Sequence, residues 1–354
     1  MNRLFFEHES KQEPKLLPGF DAASLVKGSR GKIESGLKSQ PAFDREWVKA
    51  ALGGLAGQGV YIGTSSWKYP GWRGLVYDEN RYMTRGKVAE SRFERECLAE
   101  YAEVFKTVCV DAAYYRFPDQ RYLESMMSQV PADFQFSFKV TDDITLKRFT
   151  KLPRFGLRAG KANENFLNAD LFAAAFVRPL EPFKRNVGLF MFEFSKFYPG
   201  DYEHGRDFVA DLDQFLGNLP RGWPYGVEIR NKFWLRADYF EVLRKHGVAH
   251  VYNSWTDMPP VSEQMALAGS RTSGKLRAAR FLLKPGRKYE QAVNLFKPYD
   301  EIKDPYPDGR AAGAALVKEG VAAESERQTF IYVNNRLEGN ALETIAGMLE
   351  AASE

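Results

Sequence analysis

The sequence predicts an α/β fold: a TIM-like (β/α)8 barrel preceded by an irregular N-terminal extension. Three observations predict it. Eight short apolar, β-branched or aromatic runs recur between Tyr61 and Asn335. Most are followed by a polar loop and then a helical pattern, and such alternation means βα units on a parallel sheet. Eight units over roughly 290 residues match the size of a closed barrel. A doubly wound open sheet is the alternative. It is disfavoured because no Gly-rich dinucleotide loop follows any of the runs.

The elements follow in chain order. Residues 1–42 mix Lys, Ser, Gly and Glu with scattered apolar residues and keep no period, so they read as an irregular or mobile arm. The barrel domain is expected over 43–354. A lead-in helix over 43–55 places Phe43, Trp47, Val48, Ala51 and Leu55 at helical spacing, and Gly53 and Gly54 can end it. The first four strands are YIGTSSW from Tyr61, TVCVDAAY from Thr107, FQFSFKV from Phe134 and VGLFMFEF from Val187. The last four are YGVEIR from Tyr225, AHVYNS from Ala249, AARFLLK from Ala278 and TFIYVNN from Thr329. The clearest helices start near Ser91, Asp119, Asn165, Gly205, Arg236 and Asn340. Between Ser254 and Leu276 the pattern is least regular, because Pro259, Pro260 and Gly269 interrupt any long helix.

Strand period two then sorts side chains by face. Phe134, Phe136, Phe138 and Val140 should meet the helices, leaving Gln135, Ser137 and Lys139 inside. Val227 and Ile229 point outward, so Glu228 and Arg230 point inward. Asp111, Cys109 and Arg280 fall inside by the same rule. Barrel interiors are normally filled by aliphatic layers, and the C-terminal mouth holds the sites of barrel enzymes. Asp111, Lys139, Glu228, Arg230 and Arg280 should therefore pair with each other, meet water or meet a ligand there. The plain alternative is a closed ion-pair network that ties strands together.

Composition bounds the function. Of 354 residues, 44% are hydrophobic and 27% charged, which excludes wholesale disorder. No run approaches the roughly 18 apolar residues of a membrane helix, and the start shows no secretory signal. Two cysteines form no disulfide framework and suit a reducing cytoplasm. A net charge of +4 excludes polyanion binding by overall charge. It leaves two acid-free basic stretches, 147–161 and 271–288, both flanking candidate βα loops. Phe149 and Phe155 interleave the first, a pattern suited to phosphates and stacked rings. Trp67, Tyr69 and Trp72 in GTSSWKYPGW form an aromatic stretch beside the small residues Thr64, Ser65 and Ser66.

Other chemistries are poorly supported. Four scattered histidines make a His-rich metal site untenable, and His246 and His250 fall near the barrel bottom. No GxSxG elbow appears, and Cys109 reads as a small core residue. Glycoside hydrolysis by a carboxylate pair would use Glu193 and Glu228, yet their expected facings differ.

Taken together, GTSSWKYPGW, FKTVCVDAAYYRFP, FQFSFKVTDDIT, VGLFMFEF, GVEIRNKFW and YVNN resemble the domain-of-unknown-function family 72, the YecE-like proteins. The resemblance spans about Val60 to Leu349. It implies a TIM-like barrel without a settled activity, its mouth likened to endonuclease IV-type barrels lacking the full set of metal ligands. Matching positions are Gly63, Ser65 and Trp67; Tyr115 and Arg116; Lys139; Glu228, Arg230 and Trp234; and Asn334 with Asn335. Cys109, Asp111, Leu146, Leu282 and Leu283 depart from the family pattern, whereas Arg280 fits it.

The leading expectation is a mouth that binds a small anionic molecule bearing phosphate or carboxylate, with a hydrolytic step in view. Arg230, Arg280 and Lys139 would hold the anion. Glu228 is the first acid/base candidate, with Lys139 and Asp111 beside it. Trp67 and Tyr115 would stack on the ligand, and Ser65, Arg116, Trp234, Asn334 and Asn335 would complete its contacts. No metal or cofactor is called for. Two alternatives stand: nucleic-acid binding through the 147–161 loop, and a non-catalytic barrel that docks a protein on its aromatic rim. The oligomeric state is not set by the sequence.

Overall fold

The computed structural model describes residues 43–323 and 327–354; the arm expected over 1–42 lies outside them. Eight parallel strands close into a barrel. They are β1 (Val60–Thr64), β2 (Thr107–Val110), β3 (Gln135–Lys139), β4 (Val187–Phe194), β5 (Tyr225–Ile229), β6 (Ala249–Ser254), β7 (Leu276–Phe281) and β8 (Gln328–Val333). All eight expected strands form. The third starts one residue later than read, because the Phe134 N–H is drawn into a turn with the Pro131 carbonyl (3.0 Å). The lead-in helix runs from Arg45 to Ala56, and Asp44 accepts the Trp47 N–H at 3.0 Å as its N-cap.

Two apolar layers follow from strand alternation. Inside lie Cys109, Leu189, Met191, Ala249, Val251, Leu276, Ala278, Phe330 and Tyr332, a plug that fills the barrel axis. Outside, phenylalanines pack strands onto helices: Phe172 meets Phe190 at 5.3 Å and Phe192 at 5.0 Å between ring centroids. Each ring so buried contributes about 1.5–3 kcal/mol. Most of the chain's 27 Phe that the alternation sent outward, Phe134, Phe136 and Phe138 among them, are fully buried.

The β1–β2 seam is made differently. These strands share one register pair, Thr64 with Val108. Tyr101 bridges the gap, its hydroxyl accepting the Thr64 N–H (3.0 Å) and donating to the Thr107 carbonyl (3.1 Å). Gly63 sits there because any Cβ would strike the Thr107 carbonyl oxygen.

Helices not read in advance include Val261–Ala266, Tyr289–Phe296 and Pro307–Val321. The last carries Gly313 against the Met348 side chain and Gly320 against Val60, so it packs by close approach rather than by an apolar stripe. Among the described residues no helix is long and apolar enough to cross a membrane.

Candidate functional site at the barrel mouth

Strand register brings the charges together. Glu193 on β4 is the register partner of Glu228 on β5, and neighbours on parallel strands share a face. The expectation that they face opposite ways is therefore corrected. Strand β4 is buried on both faces, so its hydrophobicity carried no phase. Met191 and Leu189, two and four residues back, lie in the barrel plug.

Arg230 joins the two carboxylates. Its Nη2 is 3.1 Å from Glu228 Oε1, and its Nε is 3.3 Å from Glu193 Oε1. Lys139 Nζ pairs with the other oxygen of Glu193. Arg280 donates from Nη1 to Glu228 Oε2 (2.9 Å) and from Nη2 to Asp111 Oδ1 (2.8 Å). The Cys109 thiol also donates to Asp111 Oδ1 (3.3 Å), and Ser195 Oγ donates to Glu193 Oε1 (3.0 Å). Two rings complete the cluster. Lys139 Nζ lies 3.6 Å from the Tyr114 centroid, and the Arg230 guanidinium lies 3.7 Å from that of Trp255. Three acids thus meet three bases. Glu193, Glu228 and Arg280 are sealed, while the side chains of Arg230, Lys139 and Asp111 are 10%, 13% and 29% exposed.

The electrostatics follow. Burial is the largest single influence on Glu193 and opposes its ionisation. The attraction of Arg230, Lys139 and Arg280 together outweighs it, so the carboxyl stays well below the usual range. Glu193 is thus ionised at neutral pH and is not the protonated partner that carboxylate-pair hydrolysis requires. Burial, then the nearby Asp111 charge, pushes the Cys109 thiol far up, which makes it a poor nucleophile.

Several polar atoms at these strand ends are buried without a hydrogen-bond partner. They include Ser65 Oγ, Trp67 Nε1, Arg280 Nε, Asn253 Oδ1 and Asn335 Nδ2. Asn253 was missed. It is the register partner of Arg280, and alternation in AHVYNS puts it on the same face as the plug residues Ala249 and Val251.

Asn334 and Asn335 directly follow β8, whose Tyr332 is the register partner of Arg280. Asn335 accepts the Ala341 N–H (2.7 Å) at the start of the last helix, and Asn334 accepts the Arg336 N–H (3.0 Å). Both side-chain oxygens are used to hold the chain. Trp234 is half-buried and stacks against Phe197 and Phe208, each at 5.5 Å. Trp67 is buried; Tyr115 and Arg116 are exposed, with Arg154 5.1 Å from the Tyr115 ring.

The basic stretches are largely neutralised from elsewhere in the chain. Lys147 pairs with Asp211 (3.9 Å), Arg148 with Asp201 (3.7 Å), Arg158 with Asp143 (2.6 Å) and Arg154 with Asp142. In the second stretch, Arg271 and Arg277 share Glu319 at 3.0 Å, and Lys284 and Arg287 share Asp304. Arg271, Lys275 and Arg277 lie before or at the start of β7, at the barrel bottom. The expectation that this whole stretch borders the mouth is corrected.

Among the described residues no three His, Cys, Asp or Glu side chains gather as a metal site. His246 bonds Asp213 (2.6 Å), and buried His250 meets the Tyr239 hydroxyl (3.2 Å). Two surface clefts of about 580 and 670 Å³ lie elsewhere, the first beside Phe166 and Asp211, the second beside Arg45 and Glu100.

Comparison with known proteins agrees with this architecture. A DUF72 protein from Enterococcus faecalis V583 superposes with a TM-score of 0.56 at 18% identity, over 83% of this chain and 96% of that one. A DUF72 protein from Thermotoga maritima MSB8 gives 0.50 at 20% identity, over 83% and 98%. At such identities the likeness concerns the fold. No curated protein matches the chain. The sequence profile described as "Protein of unknown function DUF72" matches residues 61–354, and the chain belongs to the DUF72 family.

Proposed function

We propose that the barrel mouth binds a small molecule through a carboxylate or phosphate group. One observation carries the reading: the buried, unpartnered polar atoms are mostly donors. Trp67 Nε1 and Arg280 Nε can only donate, Ser65 Oγ can donate, and Asn253 Oδ1 alone must accept. A buried donor left unmade costs about 1–3 kcal/mol. A ligand rich in acceptors relieves that cost. Arg230 and Lys139, the two rim cations, supply the charge-assisted contacts. Because the six charges already balance, selection rests on hydrogen bonding rather than on net field. Glu228, Glu193 and Asp111 hold the cations in place. Binding is better supported than hydrolysis, since Arg230 engages both Glu193 and Glu228 and leaves neither carboxylate uncommitted.

The test is calorimetric titration of the full chain with inorganic phosphate, citrate and small monocarboxylates. Arg230→Gln should weaken binding by about 2 kcal/mol, close to thirtyfold. Absence of any binder, or affinity unchanged in Arg230→Gln, would remove the proposal.

A further inference from the structure

Strands β4 and β5 carry more than the bridged carboxylates. Five residues beyond Glu193 stands Tyr198, and five beyond Glu228 stands Phe233. Since Glu193 and Glu228 are register partners, the two rings leave the barrel at matching offsets. They are the most exposed aromatic side chains among the described residues, Phe233 at 78% and Tyr198 at 62%. Each offers a flat apolar face on which a ligand ring could stack.

Both rings are held on turns built to stay put. The Asn231 side chain clamps Phe197, accepting its N–H (2.9 Å) and donating to its carbonyl (3.0 Å). Beneath, Phe197 and Trp234 stack at 5.5 Å and 19°. Tyr198 opens a turn closed by the Asp201 N–H on its carbonyl (2.8 Å) and by its own N–H on Asp201 Oδ2 (3.0 Å). Each exposed ring has a lysine beside it: Lys196 Nζ is 6.0 Å from Tyr198 and Lys232 Nζ is 5.1 Å from Phe233. Five residues span at most roughly 17 Å of extended chain, which bounds the distance from the carboxylates to these rings.

We propose that the ligand of the mouth is a free nucleoside phosphate, its phosphate on Arg230 and Lys139 and its base stacked on Phe233 and Tyr198. The proposal rests on the anion reading above and adds the ring. A nucleic-acid strand fits less well, because strand binding needs a track of uncommitted cations. Beside Tyr198, Lys196 pairs with Asp257 and Arg148 with Asp201 of the same turn, which leaves Lys232 beside Phe233 too little to form such a track.

Calorimetry of the full chain with inorganic phosphate, ribose 5-phosphate, AMP and UMP tests it. AMP should bind at least tenfold more tightly than ribose 5-phosphate. Phe233→Ala and Tyr198→Ala should each weaken AMP by roughly five- to a hundredfold, the range of one stacked base, and leave ribose 5-phosphate within twofold. Ribose 5-phosphate binding as tightly as AMP overturns the nucleotide inference and leaves the anion reading standing. So does an equal loss for both ligands in Phe233→Ala, which would mark a structural effect. A short oligoadenylate preferred over AMP also overturns it. Failure of all four ligands overturns the nucleotide inference, and the anion reading falls as well only if citrate and the monocarboxylates also fail to bind.

Discussion

Arg280→Met probes the charge network most directly. Arg280 is 2% exposed and gives one N–H to Glu228 and another to Asp111. Methionine keeps the unbranched apolar stem of the side chain and removes both contacts. Glu228, fully buried, is then left with Arg230 alone. Breaking a buried pair by removing one partner costs about 3–5 kcal/mol, most of it the desolvation of the stranded charge. A unit of about 310 residues unfolds with an entropy near 0.65 kcal/mol/K, so the melting temperature should drop by about 5–8 °C. Urea unfolding followed by tryptophan fluorescence, with a thermal melt alongside, measures both. Adding Glu228→Gln removes the stranded charge and should recover at least about 1 kcal/mol relative to Arg280→Met. A single variant within about 1 kcal/mol of the parent would refute the reasoning. So would a double variant no more stable than the single one.

Two further predictions concern the fold. Burial lowers the His250 imidazole from its ordinary 6.5 to about 3. The unfolded chain therefore takes up the proton first, and the stabilisation present above pH 6.5 is lost as pH falls toward about 3, by up to about 1.4 kcal/mol per unit. His250→Gln should flatten that slope in urea titrations between pH 7.5 and 5, and equal slopes would contradict the burial argument. At the β1–β2 seam, Gly63→Ala drives a methyl group into the Thr107 carbonyl, a backbone atom that cannot swing aside. It should cost about 3 kcal/mol by urea unfolding, the upper end for overpacking, and a neutral result would mean that the seam can open.

The strands were legible because their apolar runs are short and bounded by turn residues. The inward phase of β2, β3, β5 and β7 was legible too, since polar residues such as Lys139, Glu228 and Arg280 mark the unusual face. Strand β4 gave no such mark: VGLFMFEF is apolar almost throughout, and one step of phase decides whether Glu193 joins the cluster. The helix Pro307–Val321 was hidden for a related reason. Its glycines admit close neighbours, so amphipathic contrast is low. The basic stretches misled because their counter-charges sit far along the chain. Arg148 finds Asp201 and Arg271 finds Glu319, pairings that only the closed barrel creates.

The equality of acids and bases at the mouth also bears on kinetics. Six charges that cancel within a few ångströms cast little field beyond one Debye length, roughly 8 Å at physiological salt. An anion approaching the barrel is therefore not steered from a distance. Its encounter rate should stay near the ordinary range for unsteered association and change little with ionic strength. Discrimination then falls to how long a molecule remains once Arg230 and Lys139 have met it.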